Sequence, residues 1–556
     1  MNKSSKRADL LLAFGINIIF FILYTCVFTP LHESNDDIAI SFMLEGVYGE
    51  ASPYVVYQNF LWGKFVMLFY SLIPTVKWYM ILMYLMLFLS FLSIVYVLLR
   101  VQGKKMGLVS SIALLLFCGY QSYVMFQYSR IAPMATAAGL VLLFYMIEYA
   151  DDKMERSICL IAGVILAFWG SLIRFQMFAV AVVIVGGSIG LHRVWKIFRQ
   201  KDADWLKQIG VYVAVFGTVG VLSVAAYGID RVKYSSNETW NAYTEFNEVR
   251  TELWDYGFPD YFLNLEAYQA LGISQNDIVY YLSWNMDEEI MTTEYLQMIA
   301  DLKPEKSFNV GAFLSIFPVN FLGIGVFLLF GLLSVLAIVL NWKNIYFAVY
   351  DFAAIMAFEA YFFYINRYGI ARVDWAMWMV ALVALMYAMS ESLVKFQEKS
   401  WKTPVVMIVL VTALFVVDYA RTPIVLDGAV GSSKEFYEEI TEDKDHLYIM
   451  LSSAPRMYYA YDFWEPCEKG DLSNVYNAYG WEFNVPVKQA VRDNYGVKNI
   501  YRDSINNEKV YFATDIQYMQ LQNYIQENYD ANAILYYEKE VDGIPIWSVR
   551  TLDSFE

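Results

Sequence analysis

The chain has 556 residues, of which 58% are hydrophobic and only 17% charged, and it carries a formal net charge of −16 at neutral pH. The apolar residues gather into blocks of about 17–25, the length that crosses roughly 30 Å of hydrocarbon as a helix, which excludes an ordinary soluble globule. The acidic excess excludes nucleic acid and an anionic lipid surface as partners, since Lys/Arg clusters supply the affinity for both.

The first block, residues 10–31, follows a basic flank (Lys3, Lys6, Arg7) as a secretory signal does. It is too long for one and has no small-x-small cleavage pattern, so it reads as a retained first helix. Directly after it comes "HESNDDIAISFMLEGVYG", residues 32–49. Ser34 and Asn35 are good N-caps, Asp37 stands at capping-box spacing from Ser34, and Ile38, Phe42 and Leu44 make the apolar side of a short surface helix stopped by Gly46. Asp36 and Asp37 open that helix, where a carboxylate also favours the positive end of the helix dipole.

Further spans are expected near 77–99, 107–127, 131–149, 157–173, 175–192, 208–228, 316–340, 345–365, 374–394 and 404–420, which with the first makes eleven. Short loops rich in Lys and Arg belong on the cytoplasmic side. Arg100, Lys104 and Lys105, then Arg193, Lys196, Arg199, Lys201 and Lys207, then Lys395, Lys399 and Lys402 put the N-terminus inside, and an odd count puts the C-terminus outside. The expected exterior loops are 32–76 and 229–315. Residues 229–315 hold 15 acidic and 5 basic side chains and residues 421–556 hold 23 and 12, so the two exterior segments carry all of the negative excess.

The loop at 229–315 reads as mainly helical, with amphipathic stretches over 237–254 and 274–302. The chain divides into a transmembrane domain, 1–420, and a soluble exterior domain, 421–556. In the latter, "HLYIML", "VKNIY", "KVYFAT" and "AILYYEK" read as strands, "SKEFYEEIT", "PVKQAVRDNYG" and "MQLQNYIQENY" as helices, and Asp542-Gly543 as a hairpin turn. The expected fold is thus an all-α polytopic membrane protein of about eleven transmembrane helices with a C-terminal extracytoplasmic α/β domain.

Of the four cysteines only Cys467 lies outside the expected spans, so no exterior disulfide forms within one chain. The three histidines (His32, His192, His446) are scattered, which argues against a His-based metal centre or a Ser-His-Asp triad. His32 stands beside the acidic pair and reads as an interfacial residue.

A first membrane helix, an acidic pair at the mouth of the first exterior loop and a surface helix ending in Gly together resemble the membrane glycosyltransferases of the C-type fold (GT-C), the group of the protein O-mannosyltransferases and aminoarabinose transferases. Asp36-Asp37 and "ISFMLEGVYG" stand in the family's places, and "NRYGIARVDW", 366–375, is similar to its Arg-Tyr loop before a late helix. The Lys-Pro-Pro of the aminoarabinose branch is absent, and "YQSYVMFQYSR" lacks the acid that holds a metal in oligosaccharyltransferases. The resemblance implies sugar transfer from a polyprenyl-phosphate donor to an envelope glycan, lipid or protein.

The chemistry is coherent on its own terms. A sugar on a polyprenyl phosphate already carries a good leaving group, so transfer needs a carboxylate base for the acceptor hydroxyl and cations for the departing phosphate. Asp36 is the expected base and Asp37 its neighbour or acceptor-orienting group, with inversion at the anomeric carbon. No cofactor beyond the lipid-linked sugar is implied. Arg130, Arg174, Arg367 and Arg372 lie at predicted outer ends of spans and suit bidentate phosphate binding, although an arginine there also snorkels to lipid headgroups. Arg231 and Lys233 lie just beyond the seventh span as supporting cations.

Asp351 and Glu359 are ionisable groups within the ninth span, about 80° apart around it. Glu359 either orients an active-site arginine or joins Asp351 in an ion path. The latter is the alternative function, a lipid-linked saccharide flippase or secondary transporter, which typically shows paired halves with broken helices. No such pairing is visible, and a non-catalytic envelope scaffold leaves the acidic loop unexplained. The expected location is a plasma membrane, multi-pass, with the site on the outer face.

Overall fold

The computed structural model describes residues 6–200, 204–321, 323–397, 403–421, 434–454, 460–515 and 517–555. Lys201, Lys399 and Lys402 lie outside these. Among the described residues eight helices are long and apolar enough to cross a membrane, and three shorter apolar helices, Phe60–Leu72, Gly325–Leu340 and Pro404–Ala420, accompany them. The expected second and third spans are two helices within Trp78–Tyr123 that meet at a break at Gly103 (φ +74°), where the chain folds back so closely that a Cβ on Gly107 would stand 2.6 Å from the Cα of Leu99. The expected 316–340 span is two helices, Val310–Phe321 and Gly325–Leu340. The Phe60–Leu72 helix falls within the stretch assigned to the first exterior loop.

The Tyr128–Glu148 helix is the axis of the bundle, buried along almost all of its length. Small residues let its neighbour come close: a Cβ on Gly139 would stand 2.5 Å from the carbonyl oxygen of Gly163 in the Lys153–Ile173 helix. Dispersion contacts of closely packed backbones hold such helices together where lipid supplies no hydrophobic driving force. By contrast the Trp205–Ser235 helix is buried at only four residues, leaving most of its apolar surface for lipid.

Two short segments position the site. β1 (Leu31–His32) runs parallel to β2 (Met125–Phe126), with Leu31 opposite Met125 and His32 opposite Phe126. This ladder carries the Asp36–Glu45 helix to the start of the Tyr128–Glu148 helix. Gly46 ends the Asp36–Glu45 helix in the left-handed region (φ +78°), where a side chain would also collide with the backbone of Ala51. Two expectations need correcting. The N-cap residue Asn35 makes no side-chain capping bond, and residues 36–44 are all buried within the protein rather than exposing one face.

The Phe60–Leu72 and Trp78–Tyr123 helices bury them from one side and the C-terminal domain from the other. Its sheet has strand order β4-β3-β5-β7-β6, comprising β3 (Leu447–Met450), β4 (Val475–Asn477), β5 (Val510–Ala513), β6 (Ala533–Val541) and β7 (Ile544–Thr551). β3 is parallel to both β4 and β5, and the β6–β7 hairpin turns at Asp542-Gly543, both at positive φ. "VKNIY" is not a strand; the remaining strand of the sheet is β4. The domain also packs on the 229–315 loop. Asp287 of that loop, fully buried, accepts hydrogen bonds from Asn499 Nδ2, Tyr524 OH and Tyr529 OH. The long amphipathic stretch at 274–302 is two helices, Gln275–Leu282 and Thr293–Ala300.

Candidate active site

Asp36 and Asp37 sit at the junction of the bundle, the 229–315 loop and the C-terminal domain. Their surroundings differ. Asp37 is fully buried; its Oδ1 accepts from Tyr79 OH at 2.8 Å and its Oδ2 from the backbone N–H of Tyr128 at 3.3 Å. Burial pushes its carboxyl well above the usual range, the Tyr79 hydrogen bond opposes the shift and the charge of Asp36 adds to it. Such a group favours the protonated form and serves as an anchor.

Asp36 keeps a small opening, 6% exposed. Its Oδ1 accepts from the indole Nε1 of Trp481 at 3.0 Å. Its Oδ2 has only long contacts, to Gln127 Nε2 and Tyr128 OH at 3.5 Å each and to the Arg372 guanidinium at 3.9 Å. One oxygen is therefore fixed and the other is loosely held, the condition of a general base awaiting a proton donor.

The expected arginines fall into two groups. Arg372 faces Asp36 directly, and Arg174 lies 5.2 Å from the rings of both Tyr57 and Tyr128 and donates to Tyr128 OH at 2.8 Å. Arg130 is buried and bound to Glu33 at 2.9 Å and to Gln121. Arg367 instead pairs with Asp255 at 3.3 Å, which also stands 3.7 Å from the buried Arg250. Tyr57 ties the groups together, lying in the field of Arg250, Asp36, Asp255 and Arg174.

Arg231 is more than half exposed, covers Tyr227 and reaches Glu248 at 3.7 Å, and Lys233 lies over Phe60 at 5.9 Å; neither touches the acidic pair. Glu359 is buried against Asp374, not against an arginine, and Asp351 faces Ser188. The expectation that Glu359 orients an active-site arginine does not hold for Arg367, eight residues on, which finds its anion in Asp255, just after the Glu238–Trp254 helix. His32 stacks on Phe463 at 4.6 Å, and burial lowers it to about 3, with the Lys77 charge adding to the effect, so it stays neutral.

Sequence reasoning passed over Trp481, Arg250 and a second layer of pairs. Glu45, at the end of the site helix, is bound to Lys77 at 3.1 Å, Ser41, Tyr70 and the backbone of Cys467. Glu482 binds Lys488 at 2.6 Å and reaches Tyr48 and Asn35. Arg250 carried a signal, as the lone basic residue in a helix with four glutamates. Among the described residues no group of three His, Cys, Asp or Glu side chains is placed to hold a metal ion.

These features define a multi-pass membrane protein whose buried carboxylate site is closed by a C-terminal α/β domain. Among solved structures it is similar to ArnT from Cupriavidus metallidurans in the apo state, with 11% identity and a TM-score of 0.40 over 98% of each chain. It is similar also to ArnT from Cupriavidus metallidurans bound to undecaprenyl phosphate, with 11% identity and a TM-score of 0.37 over 97% of each chain. No protein-family model and no curated protein matches the chain.

Proposed function

We propose that the protein is an inverting membrane glycosyltransferase that moves a sugar from a polyprenyl-phosphate donor to an acceptor on the outer face of a plasma membrane. The observation that carries this reading is the buried Asp36, one oxygen fixed by Trp481 and the other open toward Arg372 and the Tyr128–Arg174 pair. In the transfer, Asp36 Oδ2 takes the proton of the acceptor hydroxyl while Arg372 and Arg174 meet the charge that develops on the departing phosphate. Arg130, Arg250 and Arg367 are already paired with carboxylates and serve to hold the wall. Asp37 anchors the helix start through Tyr79 and the Tyr128 backbone.

Purified protein given a panel of polyprenyl-phosphate sugars and envelope acceptors is expected to transfer one of them and release polyprenyl phosphate. Lack of transfer from every donor in the panel would remove the basis of the reading. The sidedness has its own test. In a background with the four native cysteines replaced, Ala270→Cys and Ala531→Cys are expected to react with an impermeant maleimide from outside, and Lys105→Cys and Gln200→Cys only after permeabilisation. Labelling of intact cells at residue 200 reverses the orientation.

A further inference from the structure

The loop between the Asp36–Glu45 and Phe60–Leu72 helices holds a strained residue next to the site. Val56 stands at φ +59°, a left-handed conformation that a β-branched side chain rarely adopts. The Tyr57 N–H closes a three-residue turn around it, donating to the Val55 carbonyl at 2.7 Å. Such strain persists only where the surroundings over-determine the backbone, and it gathers at functional sites. Here they do so on both sides of Tyr57. The Val56 N–H donates to Tyr234 OH at 2.9 Å, Gln58 Nε2 to Tyr79 OH at 2.6 Å and the Asn59 N–H to the Leu172 carbonyl at 2.9 Å.

Tyr57, half-buried, is held by its ring and not by its hydroxyl. The Arg174 guanidinium lies 5.2 Å from the ring centre, and Trp481 meets the ring edge to face at 5.0 Å. The hydroxyl has no hydrogen-bond partner among the described residues, although it lies in the field of Arg250, Asp36, Asp255 and Arg174 and acts in turn on Arg372. Burial pushes it up to about 12, with Arg250 opposing, so it keeps its proton and has that proton to donate. The charges nearby leave cations over. Arg174 has no carboxylate partner among the described residues, and Arg250 and Arg367 share the single anion Asp255. A free donor among surplus cations suits a phosphate oxygen.

We propose that the Tyr57 hydroxyl is a further catalytic group, donating a hydrogen bond to the donor phosphate as charge develops on it. The assignment rests on the transferase reading given above. The acceptor proton passes to Asp36 Oδ2, the acceptor oxygen forms the new bond to the anomeric carbon, and the bond from that carbon to the phosphate oxygen breaks with its electron pair leaving on the polyprenyl phosphate. The Tyr57 proton stays on its own oxygen throughout, because a phosphate needs no acid to depart. Its hydrogen bond strengthens as the phosphate gains charge, which lowers the barrier more than it tightens the ground state.

The test is Tyr57→Phe in the full chain in detergent micelles. The ring stays between Arg174 and Trp481 and the lost hydroxyl has no internal bond, so thermal unfolding is expected to coincide with that of the parent. A clear drop in melting temperature would give the hydroxyl to the fold and overturn the proposal. Farnesyl phosphate, a short polyprenyl phosphate, is expected to bind the variant about 10- to 100-fold more weakly, the worth of a hydrogen bond to a charged group. Farnesol, the same chain without the phosphate, is expected to bind both proteins alike. Equal affinities for farnesyl phosphate, or an equal loss for farnesol, overturn the contact. Sugar transfer is expected to fall about 10²- to 10³-fold, as on removal of one donor to a developing oxyanion. Transfer by Tyr57→Phe at the parental rate removes Tyr57 from the reaction and leaves the transferase reading standing. Weakened farnesyl phosphate binding, in a parent that transfers no sugar from any donor, upholds the phosphate contact and removes the transferase reading.

Discussion

Asp36→Asn protein that inserts and folds is expected to transfer sugar about 10²- to 10⁴-fold more slowly than the parent, the range for loss of a general base. The substitution keeps the size of the side chain, and an amide oxygen still accepts the Trp481 indole N–H that Oδ1 accepts now. No capping bond is at stake, because Asn35 precedes the helix without making one and an Asn starts a helix about as well as an Asp. Stability is therefore expected to change by no more than about 1 kcal/mol. What disappears is the capacity to take a proton, together with the charge that faces the Arg372 guanidinium at 3.9 Å. Asp37→Asn distinguishes the two positions: its oxygens accept from Tyr79 and the Tyr128 backbone, so its loss shows first in thermal unfolding. Transfer by folded Asp36→Asn at close to the parental rate would falsify the role of Asp36 as the base.

Lys77→Met is expected to lower the stability of the protein by about 3–5 kcal/mol, the cost of leaving one member of a buried ion pair without its partner. Lys77 and Glu45 are both essentially inaccessible to water, with nitrogen and oxygen 3.1 Å apart. Glu45 keeps its bonds from Ser41, Tyr70 and the Cys467 backbone, yet three neutral donors do not replace a cation in that setting. Since Cys467 belongs to the C-terminal domain, the loss also loosens its seat on the site helix. Thermal unfolding in detergent measures the effect. The double variant Lys77→Met/Glu45→Gln is expected to recover part of it, because no unpaired charge remains. A single variant that melts like the parent would show that the pair contributes nothing to the fold.

Membrane-spanning helices were legible in the sequence because hydrocarbon thickness imposes a length and a composition that few other structures share. The Gly46 stop and the Asp542-Gly543 turn were legible because backbone sterics restrict who stands at positive φ. What covers an apolar face was not. Residues 36–44 are nearly all apolar after the two aspartates, a pattern that serves equally against lipid or against another domain, and only the docking of the C-terminal domain decides between them. Pairing failed for the same reason. Arg367 lies eight residues after Glu359, but finds Asp255 across the fold, while Trp481 meets Asp36 across 445 residues of chain. "VKNIY" has the composition of a strand, yet residues 497–501 run as bends and turns outside the sheet.

The contact between Trp481 and Asp36 sets an order of events in biosynthesis. The ribosome delivers the acidic pair among the first residues and the indole among the last, after the apolar helices have been handed to the membrane. Gly470 and Leu472, whose backbone N–H groups close on Gly46 and Val47, arrive just before it. Until the final segment has folded, the nascent chain is an inserted bundle with an open carboxylate site. The carboxylate site is therefore complete only when the last segment has been made and has folded onto it, and a chain cut short before residue 481 has no means of finishing its own site.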